Sequence, residues 1–285
     1  HFLEHMVFKG GDNLKEGEFD REIEALGGSS NAATGLDDVH FYVLVPPDSV
    51  SHALNLLLEL VLCPRLDRKA FEIEKEVVLE EIAQTNDVPE EEVFKELLKM
   101  CWGKHSYGRP VLGYKSSLRA MTPEQMKSFH ERRYQGENCA LAISGKIPAK
   151  IETIIRESPL STIKNRKNLN EIKNDYQKLG FIKQRKEISI DRLETSRLLM
   201  AWPILGAEEQ LTVMGADIAT SLLCEGRRSL LVNHLRENLQ LVESIEMDIT
   251  ILEEGGLILL EACCKEDQLI HVEEEIHLLL KNLLI

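Results

Sequence analysis

The chain has 285 residues, of which 43% are hydrophobic and 29% charged. That is the balance of a globular chain long enough for two domains with separate cores. A net charge of −14 argues against nucleic acid, whose phosphates call for a basic surface. No apolar run reaches the roughly 20 residues of a membrane span, and the longest, residues 53–62, is broken by Asn55 and Glu59. None of the six cysteines forms a C-x-x-C pair, which disfavours a thiolate metal site. Cys63, Cys101, Cys139, Cys224, Cys263 and Cys264 read instead as small core residues suited to a reducing compartment, cytoplasmic or the interior of an organelle.

In chain order, residues 1–8 read as a helix stopped at Gly10-Gly11, and residues 15–26 as an amphipathic helix ending at Gly27-Gly28. Residues 31–34 and 39–45 read as strands, the second closed by Pro46-Pro47. Asp48 is expected to cap a helix running to Leu62, and Asp67 one running to about Gln84. Pro89 opens another that ends near Trp102-Gly103. Residues 105–113 read as a loop, Thr122-Pro123 as a helix start and residues 139–144 as a strand. The Lys-, Asn- and Glu-rich stretch 161–186 reads as a linker between a domain over 1–160 and a second over 187–285. In the second, residues 198–202, 245–252 and 257–263 read as strands; residues 211–223, 229–238 and 266–284 read as helices. The order helix, helix, strand, strand, helix thus occurs twice. The fold class expected is α+β: two similar α/β sandwich domains, each a largely antiparallel sheet with helices on one face, the second incomplete. A chain opening on its strongest motif also reads as a fragment or processed product.

That motif is His1-Phe2-Leu3-Glu4-His5. On a helix, positions i and i+4 share a face, so both imidazoles can reach one metal ion. Neutral imidazole suits Zn²⁺, at about 2.0–2.1 Å in tetrahedral sites. Glu4 can face the remaining, water-filled position and act as general base. The order H-x-x-E-H is that of the inverzincins. A third protein ligand is needed. The acidic segment Glu74-Lys75-Glu76-Val77-Val78-Leu79-Glu80-Glu81 supplies four candidates, among which spacing alone does not choose. Glu74 and Glu81 share a helical face, so one could bind metal while the other orients a histidine.

The run His1 to Gly10 resembles the active-site helix of the pitrilysin family, especially the branch holding the mitochondrial processing peptidase and its bacterial relatives. The resemblance continues through Asn31-Ala32-Ala33-Thr34, residues 74–81 and the run His105 to Gly113, and more weakly through the second domain. It implies a zinc endopeptidase with His1, His5 and Glu81 as ligands, Glu4 as catalytic base and Glu74 as the additional acidic residue of the catalytic set. It further implies a chamber of two similar halves, supplied in the processing branch by separate subunits, that cuts unfolded or extended peptides. Asn31, Ala32, Ala33 and Thr34 match the strand that pairs with substrate backbone. His105 is expected to be structural, its neighbours Gly108 and Pro110 setting a turn; His40 and His130 read as ordinary histidines. Active relatives carry an Arg and a Tyr in the second domain that hold the substrate. Here the matching stretch keeps Arg236 but has Glu243 at the Tyr position, which implies a homologous second subunit, a heterodimer in preference to a homodimer. The competing roles in such a family are a non-catalytic assembly subunit, which loses part of the metal motif, and a zinc-carrying peptide-binding module.

Overall fold

The computed structural model describes residues 1–163, 179–190, 193 and 195–283. Two compact units emerge: His1–Asn86 with Pro110–Tyr176, and Asp87–Arg109 with Gln177–Ile285. The expected linker over 161–186 falls largely on residues 164–178, which lie outside the described residues. Residues 87–109, assigned from sequence to the first domain, instead pack with the second unit.

The first unit opens with α1 (Phe2–Val7) and α2 (Glu18–Ala25), followed by β1 (Ser29–Thr34) and β2 (Val39–Leu44). Gly10, at φ +108°, turns the chain after α1; a Cβ there would lie 2.8 Å from the Leu14 carbonyl oxygen, so no other residue fits without displacement. β1 and β2 pair antiparallel from Ser29↔Leu44 to Thr34↔Val39. Alternation turns Ala32, Thr34, Val39, Phe41 and Val43 inward and leaves Asn31, Ala33, His40, Tyr42 and Leu44 exposed. Then come α3 (Val50–Leu62), α4 (Arg68–Asp87), α6 (Lys115–Ala120), α7 (Pro123–Arg133) and α8 (Ile151–Glu157), with α5 (Pro89–Trp102) belonging to the other unit. Asp67 caps α4 as expected, accepting from the N–H groups of Lys69 at 2.9 Å and Ala70 at 3.2 Å. Thr122 and Gln125 form a reciprocal capping box at α7.

Several expectations fail for local reasons. Asp48 lies inside a 3-10 turn, Pro47–Ser49, and α3 begins only at Val50. Residues 139–144 have strand composition but no ladder partner among the described residues, and composition alone does not make a strand. The helices α6 and α8, of six and seven residues, are too short for a helical period to announce itself, even with Ile151, Ile154 and Ile155 on α8.

The core of this unit joins Phe2, Met6 and Val7 of α1 to Phe19, Ile23, Leu60, Phe71 and Val78. Phe2 and Phe71 pack at a centroid distance of 4.8 Å. Phe71 is fully buried and clamps α4 onto α1, so Phe71→Ala is expected to destabilise the protein by about 3–5 kcal/mol. Chemical denaturation reads this; a loss below about 1 kcal/mol contradicts the clamp.

The second unit contains α5, β3 (Ser196–Ile204), α9 (Gln210–Cys224), β4 (Val242–Ile251), β5 (Gly256–Cys264) and α10 (Leu269–Asn282). The antiparallel sheet has the order β3-β5-β4, and its core gathers Leu231, Leu235, Leu260, Val272 and Ile276. The helix expected over 229–238 is a π-helix across Val232–Asn238. His105 is almost wholly buried and its Nδ1 accepts from the Tyr107 N–H at 3.3 Å, the turn role expected of it. Burial pushes the thiols of Cys63 and Cys101 up to about 11 and that of Cys224 up to about 12, so these cysteines pack as small apolar residues. Among the described residues, no helix is long and apolar enough to cross a membrane. The architecture is therefore the mixed α+β class expected, with antiparallel strands and helices in both units.

Candidate metal centre

One helical turn separates His1 from His5, and the His5 N–H donates to the His1 carbonyl at 3.2 Å. The two imidazoles consequently stand on one face of α1, their centroids 4.6 Å apart. α4 brings two glutamates to them. Glu81 reaches both rings: Oε1 lies 3.5 Å from His1 Nε2, and Oε2 lies 3.5 Å from His5 Nε2. Glu74 reaches the other side of His5, its Oε1 2.9 Å from Nδ1. Glu76 and Glu80 are exposed on the outer face of α4. Of the four glutamates that spacing left open, Glu81 is the one grouped with both imidazoles.

One ligand atom from each of His1, His5 and Glu81 lies within 4.8 Å of the others. A tetrahedral zinc with bonds of about 2.0–2.1 Å holds its ligand atoms about 3.3 Å apart, close to the 3.5 Å approaches found. His1 Nδ1 and Glu81 Oε2 are buried with no hydrogen-bond partner among the described residues. An orphaned carboxylate oxygen between two imidazoles is costly without a cation. The donor set, two nitrogens and a carboxylate oxygen, thus fits Zn²⁺.

Around this cluster two contacts were not legible in the sequence. The Thr34 hydroxyl, at the end of β1, donates to Glu4 Oε2. Lys9, just beyond α1, places its Nζ 2.8 Å from Glu74 Oε2. Burial pushes the Glu74 carboxyl up, but hydrogen bonds from Lys9 and His5 outweigh it and hold the group below the usual carboxylate range. The same bond to Glu74 raises the Lys9 ammonium above its ordinary value.

Of the remaining residues singled out from sequence, Asn31 and Ala33 are exposed and Ala32 and Thr34 half-buried. β1 pairs with β2 on one edge and with no strand on the other among the described residues. Arg236 lies in the second unit, where Nε and an Nη donate to Glu237 Oε1 at 3.0 and 2.9 Å. Glu243 is exposed at the register shift between Val242 and Ser244 of β4.

Comparison with known proteins gives these features a context. Residues 1–115 match the family model described as insulinase (peptidase family M16), and residues 120–284 the one described as the peptidase M16 inactive domain. An uncharacterized zinc protease of Mycobacterium leprae is 37% identical over 147 residues, covering 52% of this chain and 33% of that protein. The mitochondrial-processing peptidase subunit beta of Saccharomyces cerevisiae is 28% identical over 147 residues, 52% of this chain and 32% of that protein. The chain therefore spans only about a third of these relatives' length in the matched region. A protease from Helicobacter pylori shares the fold, with a TM-score of 0.83 at 22% identity over 99% of this chain and 69% of that one. With two M16 models matched end to end, one of them over more than half of its residues, the chain belongs to peptidase family M16, the insulinase family.

Proposed function

We propose that this chain is a zinc metalloendopeptidase acting on unfolded or extended peptides, with His1, His5 and Glu81 as zinc ligands and Glu4 as general base. The observation that carries this reading is the single such cluster among the described residues, the ligand atoms of His1, His5 and Glu81, with Glu4 one residue from His5 on the same helix. Bound there, zinc supplies a Lewis acid for the scissile carbonyl and an acidified water. Glu4 accepts the proton of the attacking water at one carboxylate oxygen and passes it to the leaving amine, while the Thr34 hydroxyl steadies the other oxygen. The His5 Nδ1–H donates a hydrogen bond to Glu74, which leaves the Nε2 lone pair facing Glu81.

The edge of β1 that meets no strand among the described residues supports this substrate class. A peptide added there as a further strand is held at Asn31, Ala32, Ala33 and Thr34 by main-chain hydrogen bonds, which demand an extended chain but little of its side chains. Arg236, in the second unit, is the retained member of the substrate-holding Arg and Tyr pair that the family resemblance implies. Glu243 offers no hydroxyl to donate, and its charge opposes a developing oxyanion. A homologous subunit, in preference to a second copy of this chain, completes the substrate clamp and closes the chamber. Similarity to a protein named as a beta subunit supports this.

The test uses the full-length protein loaded with zinc, alone and mixed with a homologue from the same cell. We expect one zinc per chain, cleavage of unfolded peptides, sparing of a stably folded globular protein, and a higher rate in the mixture. Full activity alone overturns the partner; rapid cleavage of the folded protein overturns the substrate class.

A further inference from the structure

Glu74 is buried to 5% exposure, and both of its carboxylate oxygens are engaged inside the first unit. Oε1 faces His5 Nδ1 at 2.9 Å and Oε2 faces Lys9 Nζ at 2.8 Å. The three residues come from three places: the end of α1, the turn after it, and the middle of α4. Lys9 reaches Glu74 because Gly10 reverses the chain immediately behind it, and its ammonium also lies 3.7 Å from Glu16.

The chemistry of the donors gives this chain of contacts a direction. An ammonium has three N–H donors and no acceptor. The oxygen that meets it must therefore accept, and an ion pair holds the carboxylate as an acceptor at both ends. Oε1 can then only accept from His5, so the proton of that imidazole sits on Nδ1. The other nitrogen, Nε2, is left with its lone pair toward Glu81 Oε2, 3.5 Å away. Without the ammonium, Glu74 would be a buried carboxylate with one oxygen unpaired, free to rotate away from Nδ1. The imidazole proton would then move to Nε2, the atom a metal needs bare.

We propose that Lys9 is a positioning residue: through Glu74 it fixes the Nδ1–H tautomer of His5 and so sets the metal affinity of the His1, His5, Glu81 cluster. The inference rests on the reading that His5 is a ligand, and it assigns Lys9 a role at two removes from the ion, with no contact to substrate.

The test is made on the full-length protein with two readouts. One is zinc affinity, measured by competition with a chromophoric chelator. The other is the His5 tautomer in the metal-free protein, read from side-chain ¹⁵N shifts. Glu74→Gln is expected to weaken zinc binding about 10–100-fold, the usual cost of losing an outer-shell partner. Lys9→Met is expected to weaken it about tenfold and to shift His5 toward the Nε2–H form, whereas Lys9→Arg, which keeps the charge, retains both properties. Adding Lys9→Met to Glu74→Gln is expected to cost nothing further, because the amide has no charge to pair. The double variant also serves if Lys9→Met alone fails to fold, since it buries no unpaired carboxylate. Lys9→Met with unchanged affinity and tautomer, while Glu74→Gln loses affinity, overturns the role of Lys9 and leaves the peptidase reading standing. So does an additive loss in the double variant. If His5→Ala leaves zinc affinity unchanged, the ligand assignment fails and the role of Lys9 falls with it.

Discussion

Glu4→Gln is expected to leave zinc bound and to lower peptide hydrolysis about 10²–10⁴-fold, the usual contribution of a positioned general base. The amide has nearly the size of the carboxylate and can still accept the Thr34 hydroxyl at its carbonyl oxygen, so the neighbourhood of α1 and β1 should survive. What it lacks is basicity. The effect should therefore fall on kcat, with little change in KM or in metal content, because Glu4 is not among the three clustered ligand atoms. Metal analysis and steady-state kinetics on an unfolded peptide check this together. A near-normal kcat with zinc in place would refute Glu4 as the base; loss of zinc would move Glu4 into the ligand set.

Glu81→Ala is expected to abolish both zinc binding and activity. Its carboxylate meets both imidazoles, and α4 offers no other oxygen there: Glu74 is held on the far side of His5 by Lys9, and Glu80 points outward. Loss of an outer-shell partner already costs about 10–100-fold in affinity, so removing a direct ligand should exceed about 100-fold. Glu80→Ala, one residue away on the exposed face, is expected to keep full zinc affinity. Chelator competition on the two variants is decisive, since retention by Glu81→Ala together with loss by Glu80→Ala would reverse the assignment.

The contrast between those neighbours shows where sequence stops and packing begins. That His1 and His5 share a face follows from the 3.6-residue period of any helix, whatever surrounds it. The caps at Asp67 and Thr122, the glycine turn after α1 and the proline start of α5 are equally local, because each satisfies or releases a backbone group a few residues away. Asp48 was misread by the same logic: two prolines held the chain in a 3-10 turn before the helix could begin. The second unit's strands were legible because the apolar runs of β3 and β5 and the apolar–polar alternation of β4, bounded by turn residues, leave few alternatives.

Non-local facts stayed hidden. Which of four glutamates turns toward α1 is set by the rotation of α4, and that is set by Phe71 and Val78 seating in the core with Phe2 and Met6. Residues 139–144 have the composition of a strand, yet a strand exists only as half of a pair. Residues 87–109 carry no mark of belonging to the second unit, since contacts between distant segments, such as the 2.7 Å ion pair of Arg197 with Glu90, leave no periodic signature. The same holds for the bonds that tune the cluster, Thr34 to Glu4 and Lys9 to Glu74. The sequence by itself determined the family, the helix that carries the histidines and the donor types available to a metal. The tertiary structure decided which carboxylate meets the imidazoles and which cation steadies its neighbour, because those choices depend on how buried side chains orient one helix against another.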